Sequence, residues 1–495
     1  MRCKQLILGG VLLVIFAATN SALAQQPKQS EHERIRKLEE ELEIMKERME
    51  ATAEAVDEAR REAKAEKARV SIGGYGSIRG EVNTLDEEQD TFTYRRFVLA
   101  LAASVTDRLQ TYLELEFERF AELELEKGVA AGPEGLEAEQ EVEGTAGSEI
   151  AIEQAWARYA VTPALNVHAG ALLVPLGRFN LYHDDNLWNL TRRPLVDRGV
   201  PVLPVPTAWP ELGVGLLGTV PVGQKSLLDY WFYVVNGAEL DFAIEEVVEG
   251  ADETESLLEA EFAPTQGTFS EDLNDNKAVT GRLAFRPTPS HEIALSGYWG
   301  RYTPEFLEDE AVWSLGVDGL HYLGGFELEY EAIFTRWEGV GNVAGGFATN
   351  AFNQEGTGAE ISLAENSLAD SRAGYWVELR YPFWPRALNG TFLSWNFPNP
   401  QLEPTLRLEQ VFFNDQLRGF EFEDGAITEF DTIDATLNRA TLGLAYRPVP
   451  QWVFTVAGEY TWTNQDSLAG LTNFIAAQPD EDDAFALTTG AAFGF

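Results

Sequence analysis

Cysteine is almost absent from the 495 residues: Cys3 is the only one. That excludes a disulfide framework and any cysteine-built metal site. Basic residues are scarce, with 37 Lys and Arg against 80 Asp and Glu for a formal charge of −43. A chain so acidic is no partner for nucleic acid, whose binding rests on neutralised phosphates. Long hydrophobic runs are missing too. The longest, Leu6 to Ala18, falls short of the roughly 20 apolar residues that carry a helix across a bilayer. If the chain crosses a membrane, it crosses with strands.

What stands at the start is an export signal. Arg2 and Lys4 precede the apolar run, and Ser21-Ala22-Leu23-Ala24 supplies the small residues of a cleavage site. Residues 1–24 therefore read as a signal peptide, cut after Ala24. Cys3 lies upstream of the apolar run, so it is not placed for a lipid anchor.

Between Gln29 and Arg69 there is neither glycine nor proline. Ile35, Leu38, Leu42, Met45, Met49, Thr52, Val56, Ala59 and Ala63 are spaced by threes and fours, the rhythm of a coiled-coil seam. Residues 25–69 are expected to form a periplasmic coiled-coil segment, about 60 Å long at about 1.5 Å per residue. Its core would be Ile35, Leu38, Leu42, Met45, Met49 and Val56. The stripe is thin, so the helix needs partner helices, most simply copies from neighbouring subunits. A single solvated helix or a tether is the plainer alternative.

From Val70 onward the period is 2. Leu113, Leu115 and Phe117 oppose Tyr112, Glu114, Glu116 and Glu118; Phe97, Leu99 and Leu101 oppose Tyr94, Arg96 and Ala100; Val279, Leu283 and Phe285 oppose Thr280, Arg282 and Arg286. One face is apolar and the other carries charge. A soluble barrel would bury the greasy face, whereas a membrane barrel turns it to lipid and keeps the polar face wet. Sixteen such segments can be placed, with short turns such as Thr106-Asp107 and Pro448-Val449-Pro450 alternating with long loops. One long turn, residues 383–401, falls on the short side. In the last segment Phe485, Leu487, Thr489, Ala491, Phe493 and Phe495 share a face. An apolar strand ending in phenylalanine looks like the signal that outer-membrane assembly machinery recognises, carried here by Phe493 and Phe495. The expected fold is all-β: a transmembrane antiparallel β-barrel of about 16 strands over residues 70–495, behind the N-terminal helical coiled coil.

The segment from about 176 to 210 has no sustained period, and it holds Pro194, Pro201, Pro204, Pro206 and Pro210. A loop that long usually has a job. As the third outer loop of a barrel wide enough for water, it is expected to fold inward and narrow the channel. Candidate constriction residues are Arg178, Tyr182, Asp184, Asp185, Arg192, Arg193, Asp197 and Arg198; candidate lumen-wall residues are Arg96, Glu114, Glu116, Glu118 and Arg158. Opposed fixed charges across an opening set ion preference. The same charges could instead pair among themselves and staple the loop to the wall.

Tyr94-Arg95-Arg96-Phe97-Val98-Leu99-Ala100-Leu101, then Asp107-Arg108, Leu113 to Phe117, Gln154-Ala155-Trp156-Ala157-Arg158-Tyr159 and Gly170 to Gly177 resemble strands two to five of the phosphate-selective porin O and P family and the start of its third loop. The likeness spans about residues 70–235. It implies a homotrimeric, sixteen-stranded outer-membrane channel for small solutes, anions in the best-known members. This chain has no run of lumen lysines, and acids nearly balance the arginines of its candidate loop.

The acid excess is concentrated in predicted outer loops. Residues 121–149 hold nine acids against one lysine, and residues 238–277 thirteen against one. Such a mouth attracts cations over about 10 Å at 0.1 M salt, so a weak cation preference is expected. It also suits lipopolysaccharide and its counterions. Asp272, Asn274, Asp275 and Asn276, or Asp480 to Asp483, could hold calcium or magnesium loosely, though neither stretch has the spacing of a complete calcium loop. No other cofactor is implied. The five histidines lack ligand spacing, His183-Asp184-Asp185 is the only tempting cluster, and no nucleophile elbow or phosphate loop is present, so no enzyme is expected. The competing expectation is a structural anchor: a closed barrel holding a coiled coil that touches peptidoglycan.

Overall fold

The computed structural model describes residues 70–495 except 85–90, 119–122, 133–134, 145–148, 200–201, 207, 250–255, 266–274, 352–358, 364–367, 424–425 and 469–480. The expected signal peptide and coiled coil, with Ile35, Leu38, Leu42, Met45, Met49 and Val56, lie outside the described residues. So do Asp272, Asn274 and Asp480.

The strands are β1 (Val70–Asn83), β2 (Thr91–Ser104), β3 (Leu109–Glu118), β4 (Leu123–Gly132), β5 (Gly135–Gly144), β6 (Glu149–Thr162), β7 (Leu165–Leu173), β8 (Pro210–Val222), β9 (Ser226–Val235), β10 (Glu239–Glu249), β11 (Ser256–Thr265), β12 (Ala278–Thr288), β13 (His291–Arg301), β14 (Ala311–Leu323), β15 (Phe326–Trp337), β16 (Ala359–Leu363), β17 (Ala369–Arg380), β18 (Gln401–Glu423), β19 (Ala426–Val449), β20 (Trp452–Thr463) and β21 (Asp483–Gly494). One helix, α1 (Val340–Ala351), follows β15.

Sixteen of these strands pair antiparallel with their neighbours, and β1 closes the circle on β21, from Tyr75↔Gly494 to Asn83↔Ala486. Each of the sixteen predicted segments is one of these strands. Closure leaves the sixteen-stranded wall without a free edge, which lipid requires. At the seam Phe493 lies over Gly76, and Phe495 stacks on Phe97 at 5.8 Å while its amide donates to the Gly74 carbonyl.

The pleat sorts residues as a membrane barrel does. Ile72, Leu295, Leu315 and Leu442 are 60–67% exposed on the outside, whereas Arg96, Asp318, Glu378 and Thr488 are fully buried inside. A soluble protein reverses that arrangement. The chain is a transmembrane antiparallel β-barrel.

Two of the register breaks in the sheet fall where they set charge against the interior. Opposite β1 the register passes from Ser77↔Arg96 to Ile78↔Tyr94, leaving Arg95 as an extra residue. Opposite β3 it passes from Glu114↔Gln154 to Leu115↔Ile152, leaving Glu153 extra. A bulge turns two consecutive side chains to one face. Arg95 and Arg96, and likewise Glu153 and Gln154, point inward together. Tyr94, expected beside Arg96, lies on the outside opposite Ile78 instead.

Two regions expected as irregular loops contain strands. β4 and β5 pair as a separate hairpin. β10 and β11 pair with each other, β11 runs parallel to β16, and β16 joins the far end of β18. Dense acid at both alternating positions hid this pattern. β18 and β19, of 23 and 24 residues, far exceed the roughly 9–11 that span a bilayer, and so carry the sheet beyond it on the long-loop side. There α1 packs inside the extension, with Phe347 4.8 Å from Phe262.

Candidate functional site

The segment between β7 and β8 lies inside the barrel. Leu176, Phe179, Trp188, Leu195, Val196, Val202, Leu203, Val205 and Trp209 are buried in one cluster with Tyr233, Tyr298, Ile333, Trp376 and Val411 of the wall. Trp188 is its centre. It meets Trp376 edge-on at 5.6 Å and Phe179 at 4.6 Å, and the guanidiniums of Arg407 and Arg380 sit 5.7 and 6.0 Å from its ring. Its indole N–H donates to the Tyr182 carbonyl at 2.6 Å.

Polar ties fix the rest of the backbone. Asn180 joins the ends of the segment: its side chain donates to the Val174 carbonyl at 2.7 Å and accepts from the Trp209 amide at 2.9 Å. Arg447 of β19 donates to Asn189, to the Asn186 carbonyl and to the Trp188 carbonyl at 2.8–3.0 Å. Arg407 and Arg439 donate to the carbonyls of Arg192 and Arg193 at 3.0 and 2.6 Å. Glu409 accepts from the Leu195 amide at 2.9 Å. Gly177 has φ of +73°, and a side chain there would meet the Glu331 carboxylate at 2.7 Å. Glycine is required at that position because the loop's first turn presses against the wall.

The loop charges do not form rows facing each other. Arg178 bonds Glu329 at 2.5 Å and Glu292 at 2.9 Å, and its guanidinium covers Tyr182 at 4.8 Å. Arg192 bonds Glu459 at 2.7 Å and also Glu81. Asp185 lies 3.6 Å from Arg96 and 3.9 Å from Arg95 and from Arg193. It also accepts from Ser77 at 2.6 Å. Burial works against its charge, but the guanidiniums of Arg96 and Arg95 hold it below the usual carboxylate range. Asp197 is buried, and Arg198 lies in the short π-turn Leu195–Gly199 with its side chain outside the described residues. Of the wall candidates, Arg96 bonds Glu116 at 3.1 Å and also Glu118. Glu114 accepts from Gln154 at 2.5 Å. Arg158 donates to Gln110 and stands 5.5 Å from the Trp156 ring.

Sequence reading missed most of the wall groups that grip the loop: Glu81, Glu153, Glu329, Glu331, Glu403, Arg407, Glu409, Arg439, Arg447 and Glu459. Some were visible in principle. Glu403, Arg407 and Glu409 share one parity in β18, as do Arg439 and Arg447 in β19. The bulged Glu153 gave no such signal.

His183 is the loop's most constrained titrating group. Its Nδ1 faces the Asn180 carbonyl at 2.9 Å and its Nε2 faces Glu153 at 3.2 Å. Both neighbours accept, so only the doubly protonated ring satisfies both. Burial disfavours that charge, but Glu153, Asp184 and the carbonyl outweigh it and raise the pKa to about 9. Asp184 beside it is pushed above the carboxylate range, first by burial and then by Glu153 and Asp185, against the pull of His183. Unfolded imidazole titrates near 6.5, so this ion pair contributes in full below about pH 6.5 and is lost as pH rises through about 9. Deprotonation leaves Glu153 among Glu114, Glu116 and Asp184 with Arg96 as its remaining counter-charge. Stepwise current noise in bilayer recordings is expected to rise several-fold between about pH 8 and 10. His183→Gln should be noisy already at pH 7 and flat with pH; a pH-independent record from the unaltered protein would show that the pair does not strap the loop.

Among the described residues no group of three His, Cys, Asp or Glu side chains could hold a metal ion. Charge is uneven around the loop. Glu114, Glu116, Glu118, Glu153, Asp184 and Asp185 crowd the β3–β6 side against Arg95, Arg96, Arg158, His183 and Arg193. On β17 to β20, Glu378, Glu403, Glu409 and Glu459 alternate with Arg380, Arg407, Arg439 and Arg447.

No family model matches the chain. An uncharacterised protein of Aquifex aeolicus is 28% identical over 220 residues, which is 44% of this chain and 42% of that protein's length. Among solved structures, an anion-selective porin from Comamonas acidovorans aligns with TM-score 0.47 and 11% identity over 86% of this chain and 99% of its own. OmpT, an outer membrane protein of Vibrio cholerae, in trimer form, gives 0.43 and 11% over 86% and 99%. The outer membrane channel DcaP of Acinetobacter baumannii gives 0.42 and 12% over 87% and 99%.

Proposed function

We propose that the protein is an outer-membrane porin: a water-filled channel through which ions and small hydrophilic solutes diffuse passively, narrowed by residues 176–210. The observation that carries this reading is a long loop bound across the inside of a sixteen-stranded wall that is apolar outward and charged inward. Sixteen strands enclose more space than side chains of the wall fill, so a loop held within sets the opening. Acid excess on the β3–β6 side and in the outer loops favours weak cation preference, and those loops would recruit calcium or magnesium loosely next to lipopolysaccharide. A homotrimer would supply the partner helices the coiled coil needs, and Phe493 and Phe495 the strand that assembly machinery engages.

One observation favours a second reading. The loop's apolar side forms a buried seam with the wall through Trp188, Trp376 and Val411, as a closed barrel serving only as an anchor for a coiled coil on peptidoglycan would have. Purified protein in a planar bilayer separates the two. The porin reading expects discrete steps, unchanged when residues 25–69 are deleted, and a reversal potential under a potassium chloride gradient of cation-preferring sign. A silent bilayer would favour the anchor, and a strongly anion-selective reversal would overturn the assignment of preference to the acidic wall.

A further inference from the structure

Turns at the end of the barrel where both termini of the wall lie are short, at 105–108, 163–164, 223–225, 289–290, 324–325 and 450–451. Residues 381–400, between β17 and β18, break that rule, and nothing in a diffusion channel calls for them. The segment reads YPFWPRALNGTFLSWNFPNP; in a chain of net −43 its only charge is Arg386. It folds outward from the rim. Trp384 lies 6.2 Å from Tyr446, and the Tyr446 hydroxyl donates to the Leu393 carbonyl. Tyr446 shares the lipid-facing row of β19 with Leu442 and Leu444. Tyr381 bridges Phe326 and Phe383 at 4.7 and 5.9 Å on the same outer face.

The segment satisfies its own backbone. Amides of Leu388, Asn389, Thr391, Ser394 and Phe397 each donate three residues back, and Ser394, Thr391 and Asn389 side chains tie the turns together. Yet two of its large side chains are presented outward: Phe392 is 78% and Trp395 73% exposed. Internal hydrogen bonds with aromatic side chains held out suit the boundary between headgroups and acyl chains. The absence of acids suits anionic phospholipid.

We propose that residues 381–400 form an interfacial anchor, seating Phe392 and Trp395 in the phospholipid leaflet on the short-turn side of the barrel. The proposal rests on the membrane-barrel reading. It is continuous with the lipid-facing wall and commits to phospholipid as the occupant.

The test is a nitroxide label at Phe392→Cys in the full chain carrying Cys3→Ser, reconstituted in phosphatidylethanolamine and phosphatidylglycerol vesicles. Leu442→Cys serves as the lipid reference and Lys225→Cys, in the turn 223–225, as the aqueous one. The ratio of oxygen to nickel-chelate accessibility at Phe392 is expected to fall within a few-fold of Leu442 and roughly tenfold above Lys225. A ratio like that of Lys225 overturns the anchor. So does a label shielded from both reagents, which would mean a second copy or the N-terminal helix covers the patch. If Leu442 itself reads as aqueous, it is the membrane reading that fails.

Discussion

Trp188→Ala is expected to raise single-channel conductance several-fold while leaving the barrel's thermal unfolding almost unchanged. The indole touches wall residues, a loop residue and two guanidiniums at once: Trp376, Phe179, Arg380 and Arg407. Truncating a buried tryptophan costs about 3–5 kcal/mol, and each cation–π contact adds about 0.5–2 kcal/mol. The loss falls on the loop alone, because the strand ladders do not involve this residue. The polar ties next to it are hydrogen bonds from Arg447, Arg407 and Arg439 to loop carbonyls, which water can replace once the apolar seam opens; the ion pairs of Arg178, Asp185 and Arg192 still hold other parts of the loop. Bilayer recordings supply the conductance and heat-induced loss of β-structure the stability. Unchanged conductance with a loop newly open to protease would show that the loop is anchored as described but does not set the opening.

The wall was legible because lipid imposes a rule on every second residue. Leu283 and Phe285 out with Arg282 in, or Leu115 and Phe117 out with Glu114 and Glu116 in, is the alternation a membrane barrel with a polar interior requires. Strand ends past the bilayer were not legible, since that rule lapses there. β18 and β19 continue to Glu423 and begin at Ala426, where neither face meets lipid and β16 pairs along one edge. The glycine-rich helix α1 (VGNVAGGFATNA) was also hidden. Its propensity is poor, and it forms because Val343 and Phe347 are buried against the extension.

The inner loop was legible as a loop but not as a set of partners. Charges at Arg178, Asp185 and Arg192 invited pairing with one another, being neighbours in sequence. Their actual partners are Glu329, Arg96 and Glu459, brought close only by barrel closure. The bulges at Arg95 and Glu153 shift parity by one residue, and a pattern read by period 2 cannot register them. Both of these bulges place an extra charge where the loop lies against the wall, so these two departures from regular pleating coincide with the site.

Arg96→Met should move the reversal potential toward stronger cation preference and weaken the loop's hold beside β2. The guanidinium is fully buried and serves Glu116 at 3.1 Å, Glu118, and Asp185 at 3.6 Å. Removing one partner of a buried ion pair costs about 3–5 kcal/mol, and here the loss falls hardest on Glu116 and Glu118, since Asp185 keeps Arg95 and Arg193 at 3.9 Å. Those carboxylates cannot all stay buried and charged. They are relieved if Asp185 swings from the wall, if permeant cations enter to neutralise Glu116 and Glu118, or if one of them takes up a proton; the first two increase cation permeability, and a shift that grows with rising pH identifies the third. Arg96→Met combined with Asp185→Asn removes one of the stranded charges and is expected to recover part of the lost stability. The interaction energy from that double-mutant cycle should be non-additive by about 0.5–3 kcal/mol. Reversal potentials under a potassium chloride gradient and thermal unfolding of the two single variants and the double variant check it. Strict additivity, with no change in ion preference, would mean that Arg96 holds the barrel wall together but has no part in the field across the opening.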